Sequence, residues 1–272
     1  MPENTFMKKL TRLTSSDEVS IAVTDYGGNG PTVLMLHGLA GSSRELVRTA
    51  EALTDSFHVV LMDQRGHGLS TRRPRDVSRQ AFLGDVVNAI EAVVPGQEVH
   101  LVGQSMGAHT AFLTAAARPD LIGTLVMLEG HVAGSDRPDE ARELGDYFRS
   151  WPTTFAGVDQ ARAFLGESRL TDTWIADMEP TADGLRPRFD PDIMQEVIAA
   201  VHVDRWEEWG RLAVPTLAVF AENGMFSAEQ KDQLIERRPA TRREDILNAS
   251  HDAHLDAFDD WIRILRTYLS GN

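Results

Sequence analysis

Apolar positions in this chain fall into short unbroken runs separated by stretches with helical spacing. The runs are Thr32-Val33-Leu34-Met35-Leu36, Phe57–Met62, Val99-His100-Leu101-Val102, Leu125-Val126-Met127-Leu128 and Pro215–Phe220. Runs of that length without alternation suit strands covered on both faces, as in parallel sheets. Between them, a helical pattern extends to Leu53. A stripe of Phe82, Val86, Val87, Ile90, Val93 and Val94 closes at Pro95-Gly96, and another begins at Ala108 and stops near Pro119. Strand, helix, strand, helix means parallel crossovers with helices on both sides of one sheet. An earlier segment, Val19–Tyr26, alternates loosely and ends in Gly27-Gly28-Asn29-Gly30-Pro31, the pattern of a hairpin strand.

The rhythm breaks between about Val132 and Ala213. No strong strand is predicted there, only short helical stretches at Glu140–Ser150, Gln160–Leu165, Thr173–Met178 and Asp192–Val201. Four of the five tryptophans (Trp151, Trp174, Trp206 and Trp209) fall in this segment, which reads as a helical insertion over one end of the sheet. Alternation then resumes, with a helix over Ala228–Arg237, a weak strand near Arg243–Leu247 and a final helix from His254 to Leu269. That helix carries Leu255, Phe258, Trp261, Ile262, Leu265 and Leu269 on one face.

Composition narrows the function classes. A chain of 272 residues, 42% hydrophobic, has ample material for one large core. A net charge of −14 disfavours nucleic acid and anionic membranes as partners, leaving a small-molecule substrate as the expected one. With no cysteine, disulfides and thiolate metal sites are excluded. The first ten residues, Met1–Leu10, have no apolar run after their lysines and so do not read as a signal peptide. No apolar segment approaches membrane-spanning length. These features predict a cytoplasmic protein, and leave its oligomeric state open.

Candidate chemistry centres on Gly103-Gln104-Ser105-Met106-Gly107, which follows an apolar strand and opens a helix. A serine on so sharp a turn needs neighbours without side chains, and its hydroxyl then sits at a helix N-terminus that favours developing negative charge. Three other segments stand at loop positions after strands: His37-Gly38-Leu39, Asp63-Gln64-Arg65-Gly66-His67-Gly68-Leu69-Ser70 and the late Ser250-His251.

In type, order and spacing these four motifs resemble the α/β-hydrolase superfamily, over nearly the whole chain. The resemblance implies a mostly parallel, doubly wound eight-stranded sheet with a helical cap inserted after the sixth strand. The core is then residues 1–131 and 213–272 and the cap residues 132–212. It implies Ser105 as nucleophile, His251 as general base and then acid, and the backbone N–H groups of Leu39 and Met106 as an oxyanion hole.

The third member is where the chain departs from the pattern. Many relatives carry aspartate in a Gly-Glu-x-Asp turn after the next-to-last strand, and here that turn is Ala221-Glu222-Asn223-Gly224. Some relatives draw the acid from the end of the sixth strand, where this chain has Glu129. A carboxylate ending an apolar strand needs a partner, which His251 would supply. Glu129 is therefore the favoured acid, with Glu222, or no acid at all, as the alternatives.

Other histidines have plainer readings: His109 as a packed helix residue, His37 as a brace of the oxyanion loop, His67 and His131 as loop residues, and His254 as a packing residue and weak alternative base. No cluster has metal-ligand spacing and no cofactor is expected, since even His251-x-x-His254 lacks partners. A serine nucleophile favours acyl transfer to water. Part of the aromatic segment is expected to line a largely apolar pocket, with Trp151, Phe155, Trp174 and Met178 beside His37 and Gly38 as its candidates. The expected activity is hydrolysis of a small to medium ester or lactone through an acyl-enzyme. Carbon–carbon or amide cleavage on the same machinery is the alternative, and a ligand-binding protein that has lost turnover is a third reading.

Overall fold

A computed structural model describes residues 8–271. The N-terminal stretch read above as lacking a signal peptide lies outside them up to Met7. In chain order the structure runs β1 (Lys9–Thr14), β2 (Ser20–Gly27), β3 (Thr32–Leu36), α1 (Val47–Leu53), β4 (His58–Asp63), α2 (Arg79–Val93), β5 (Val99–Gln104), α3 (Met106–Ala117) and β6 (Ile122–Leu128). Then come α4 (Glu140–Arg149), α5 (Val158–Leu165), α6 (Arg169–Asp177), β7 (Glu179–Thr181), β8 (Gly184–Arg186), α7 (Pro191–Val201) and α8 (Trp206–Arg211). The chain ends with β9 (Thr216–Asn223), α9 (Ala228–Glu236), β10 (Arg242–Ser250), α10 (Ala253–Asp256) and α11 (Phe258–Leu269).

Eight strands form one sheet in the order β1-β2-β4-β3-β5-β6-β9-β10. Strand β2 is antiparallel to β1 and β4, and all other pairings are parallel. This is the eight-stranded, mostly parallel architecture expected from sequence. Side chains along a strand alternate between faces, so the unbroken apolar runs divide into two cores. Leu34, Leu36, Val60, Met62 and Leu101 pack with Val86, Ile90, Phe112 and Trp209 on one side. Val33, Met35, Val59, Leu61 and Val102 pack with Leu46, Leu53, Trp261 and Leu265 on the other. Each such side chain contributes roughly 1.5–3 kcal/mol by leaving water. Helix α3 is buried on every side from Met106 to Ala115, so what stands at its N-terminus is held by the centre of the molecule.

The segment between β6 and β9 has its own apolar cluster. Phe148, Trp151, Phe155, Phe189, Met194 and Val197 pack together and against Ala40, Phe82 and Met106. Ala40 follows β3 and Met106 follows β5, so the segment lies against the carboxyl ends of the strands, where open α/β sheets bind ligands.

Several elements differ from expectation. Strand β1 was not predicted, because its sequence KLTRLT is largely exposed and has no apolar period. The β7–β8 hairpin interrupts a stretch read as helical; its strands are three residues each and too short to show a period, and a bridge from Phe155 to Leu185 extends them. Helix α8 was also missed. The final helix is two, broken at Ala257 (φ −118°, ψ 43°).

Helix α6 docks on the loop after β3 through acidic groups. The Trp174 indole Nε1 donates to Glu45 at 3.1 Å, and Asp177 lies 3.6 Å from Arg44. Burial, and then nearby Asp252, pushes the Glu45 carboxyl well above its ordinary range; burial, and then Asp63, pushes Asp177 up to about 6. A carboxyl raised in the folded state binds protons more tightly there than in the unfolded chain. Its stabilising contribution is thus full below about pH 4 and lost as pH rises through about 6. Asp177→Asn should therefore raise the melting temperature at pH 8, by an amount equivalent to about 3 kcal/mol. It should change little at pH 4. Melting curves at the two pH values check this, and an equal gain at both would refute it.

Candidate active site

Ser105 joins β5 to α3 with φ 53° and ψ −118°, a backbone conformation that side-chain-bearing residues rarely adopt. The flanking glycines are required by what passes beside them. A Cβ on Gly103 would lie 2.2 Å from the Gly107 carbonyl oxygen, and one on Gly107 would lie 2.4 Å from the Leu36 oxygen and 2.5 Å from that of His37. The turn is fixed by the Ser105 N–H donating to the Leu128 oxygen at 2.9 Å and the Ser105 oxygen accepting from the His109 N–H at 3.1 Å. The hydroxyl makes no cap hydrogen bond to α3, which leaves it free at the positive end of the helix dipole.

The loop after β3 is pressed against this turn. A Cβ on Gly38 would meet the Gln104 side-chain oxygen at 2.3 Å and the Ser105 Cβ at 3.5 Å. His37 braces the loop. Its Nε2 accepts from the Gln64 N–H at 3.0 Å, so the proton is on Nδ1, which donates to the Gly38 oxygen at 2.7 Å. The Gln64 side-chain nitrogen donates to the His37 oxygen at 2.7 Å. Burial holds His37 down to about 4, keeping it neutral in this role. It is wholly buried and is a brace rather than a pocket wall. Leu39 follows Gly38 directly, and Met106 follows Ser105.

Glu129 follows β6 with φ 49° and is fully buried. Its carboxylate accepts three hydrogen bonds, from the Ala221 N–H at 2.8 Å, the Met225 N–H at 2.8 Å and His251 Nδ1 at 3.0 Å. Gly224, where relatives were expected to carry aspartate, is what admits this carboxylate: a Cβ there would lie 2.3 Å from both of its oxygens. A second tether holds His251, whose backbone oxygen accepts from Gln104 Nε2 at 3.3 Å. Glu222 instead faces outward and accepts from the Asn248 N–H at 2.8 Å. His254 is buried and held down to about 3 by that burial. Among the described residues no hydrogen bond joins the Ser105 hydroxyl to His251. Such contacts are often long before substrate binds.

A cavity of about 230 Å³ opens at Ser105. Met106, His109, His131, Ile198 and Met225 are among its walls, with Asp136, Arg137 and Glu140 also lining it. Trp151, Trp174 and Met178 are not part of it. They line a separate narrow crevice with Ala40 and Gly41, while Phe155 is wholly buried in the aromatic cluster. The expected apolar lining is thus mostly the segment's own core, and the cavity at Ser105 has a mixed wall. The groups that sequence reasoning missed are Gln64, Gln104 and the amides of Ala221 and Met225. The two glutamines stood inside recognised motifs, but backbone donors leave no trace in side-chain pattern. Among the described residues no three His, Cys, Asp or Glu side chains are placed to hold a metal ion, and no helix is long and apolar enough to cross a membrane.

Residues 31–258 match the family model described as the alpha/beta hydrolase fold. The chain belongs to that family. This hydrolase is 32% identical over 222 residues to the 2-hydroxy-6-oxononadienedioate/2-hydroxy-6-oxononatrienedioate hydrolase of Cupriavidus pinatubonensis, covering 77% of this chain and 76% of that one. It is 25% identical over 250 residues to esterase YbfF of Escherichia coli, covering 89% of this chain and 94% of the other. Among solved structures it is similar to E-2-(acetamidomethylene)succinate hydrolase, with a TM-score of 0.87 at 21% identity, over 97% of this hydrolase and 99% of that chain.

Proposed function

We propose that this hydrolase is a serine hydrolase in which Ser105 attacks a carbonyl carbon, His251 takes the serine proton and returns it to the leaving group, and Glu129 orients and stabilises the imidazole. The hydrogen bond from His251 Nδ1 to Glu129, in a space that Gly224 leaves open, carries the reading. With Nδ1 donating to the carboxylate, Nε2 is the nitrogen left to act as base. The oxyanion that forms on attack is received by the N–H groups of Leu39 and Met106. Residues 132–212 are read as a cap that closes over the carboxyl ends of the strands and limits substrate size.

The reaction class is acyl transfer to water, with a small to medium ester or lactone as the favoured substrate. The mixed cavity wall replaces the largely apolar pocket expected from sequence. Similarity does not choose the bond, since one relative is an esterase and another a hydrolase of an oxononadienedioate. Carbon–carbon or amide cleavage on the same residues is the second reading. A fluorophosphonate probe is expected to form a covalent adduct on Ser105, located by peptide mass spectrometry. A panel of p-nitrophenyl esters, lactones, anilides and vinylogous diketones then ranks the bonds. A chain that no such probe labels, under conditions where it is folded, is not a serine hydrolase.

A further inference from the structure

One helical turn beyond Ser105, His109 is buried yet lines the Ser105 cavity, and both of its ring nitrogens lack a partner among the described residues. Its ring meets Phe112 edge-on at 6.1 Å, which secures one side only. A buried imidazole without a partner forfeits its hydrogen bonds to water, a cost that packing alone does not offset. A ligand in the cavity is positioned to satisfy it.

What surrounds His109 defines that ligand. Burial, followed by the nearby Arg79, Arg205 and His202, holds the imidazole well below its ordinary range, so it is neutral and offers one N–H. Arg79 is buried against the Phe82 ring, 4.4 Å away, and gives one hydrogen bond to the Thr110 hydroxyl. Among the described residues its Nε and Nη1 have no partner and it forms no ion pair. Arg79 lies outside the Ser105 cavity and borders a neighbouring one with Arg205 and Glu208. Arginine stays charged when buried, so positive charge without an ion-pair partner stands close behind His109. Arg205 adds to it, although Glu208 offsets it at 3.0 Å. The carboxylates lining the cavity are already engaged or are exposed to solvent. Glu129 is bonded to His251, Glu140 lies 3.6 Å from Arg137 and 3.7 Å from His202, and Asp136 is exposed.

We propose that the substrate is anionic and that His109 donates a hydrogen bond to its carboxylate, in the field of Arg79 behind it. This rests on Ser105 as the nucleophile. At a rise of 1.5 Å per residue, His109 stands about 6 Å along the helix from Ser105, so the carboxylate sits roughly two to four bonds from the scissile carbonyl. Arg79 acts through the field and the His109 environment without touching substrate. A charge-assisted hydrogen bond of this kind discriminates by about tenfold or more.

The test compares the mono-p-nitrophenyl ester of succinate with p-nitrophenyl butyrate. The unmodified protein should favour the succinate ester at least tenfold in kcat/KM. His109→Phe should reduce that ratio about tenfold, chiefly through KM of the anionic ester, and His109→Gln, which keeps a donor, should restore part of it. Arg79→Met should reduce the ratio as well, with melting curves confirming that it folds. If neither ester turns over, the pair is compared as competitors of fluorophosphonate labelling at Ser105. A preference for butyrate, or variants that lower both esters equally, overturns the proposal. Absence of labelling in the unmodified protein overturns the serine nucleophile instead.

Discussion

Replacing Ser105 with glycine is expected to abolish turnover and to raise the melting temperature at the same time. Loss of a serine nucleophile costs on the order of 10⁶-fold in kcat where it has been dissected, because the base and the oxyanion donors have nothing to act on. The stability gain has a separate source. At φ 53° and ψ −118° Ser105 occupies backbone space that costs roughly 1–3 kcal/mol for a residue with a Cβ and little for glycine. Ser105→Ala keeps the Cβ and serves as control, losing activity equally without the full gain in stability. Denaturant melts of the three proteins measure the difference. A glycine variant no more stable than the alanine variant would show that the turn is not strained, and that its glycines serve only packing.

That turn is also where sequence and structure agree most closely, for a physical reason. Gly103 and Gly107 are demanded by backbone atoms within about one helical turn or on the adjacent strand, and such local demands leave a pattern of fixed spacing. The sheet was legible because five apolar runs each had to be buried on both faces. The position of Glu129 was legible from a conflict, a charge ending an apolar strand, together with a glycine where relatives place an acid. The cavity was not legible. Trp151, Phe155, Trp174 and Met178 looked like pocket walls because they are large and apolar, yet a segment that folds mainly on itself needs such residues for its own core, and burial took them. The walls that do face Ser105 come from α3, the loop after β6, α4, α7, the loop after β9 and α9, brought together by pairings no local pattern encodes. His109 shows the same limit. Its spacing from Ser105 marked it as a helix residue, but only the path of α7 and of the loop after β6 decides that its ring borders the cavity.

Glu129→Gln should lower kcat by about 10³–10⁴-fold while the fold persists, whereas Glu222→Gln should stay within a few-fold of the unmodified protein. The asymmetry follows from the hydrogen bonds. Glu129 accepts from three donors, the N–H groups of Ala221 and Met225 and His251 Nδ1, and an amide in its place keeps only one oxygen to accept them. Its nitrogen must oppose a backbone N–H in either orientation, and the negative charge that stabilises the imidazolium is gone in both. At the Oε2 position it also faces His251, where the imidazole can satisfy it only by moving its proton to Nε2. That tautomer cannot accept a proton from serine, so the loss falls on kcat more than on KM. Glu222, at the exposed end of β9, accepts from the backbone N–H of Asn248 in β10 and has no such hold on the ring. A stronger check uses Gly224. Gly224→Asp alone would drive a carboxylate into the space Glu129 fills, where a Cβ already approaches its oxygens to 2.3 Å, and should inactivate and destabilise the chain. Combined with Glu129→Gly it moves the acid to the turn where relatives carry it, and activity should recover by at least tenfold over either single variant. Steady-state kinetics on one ester across the set decides the matter. If Glu129→Gln keeps more than a tenth of kcat, the carboxylate only braces the loop, and His251 works without an acid.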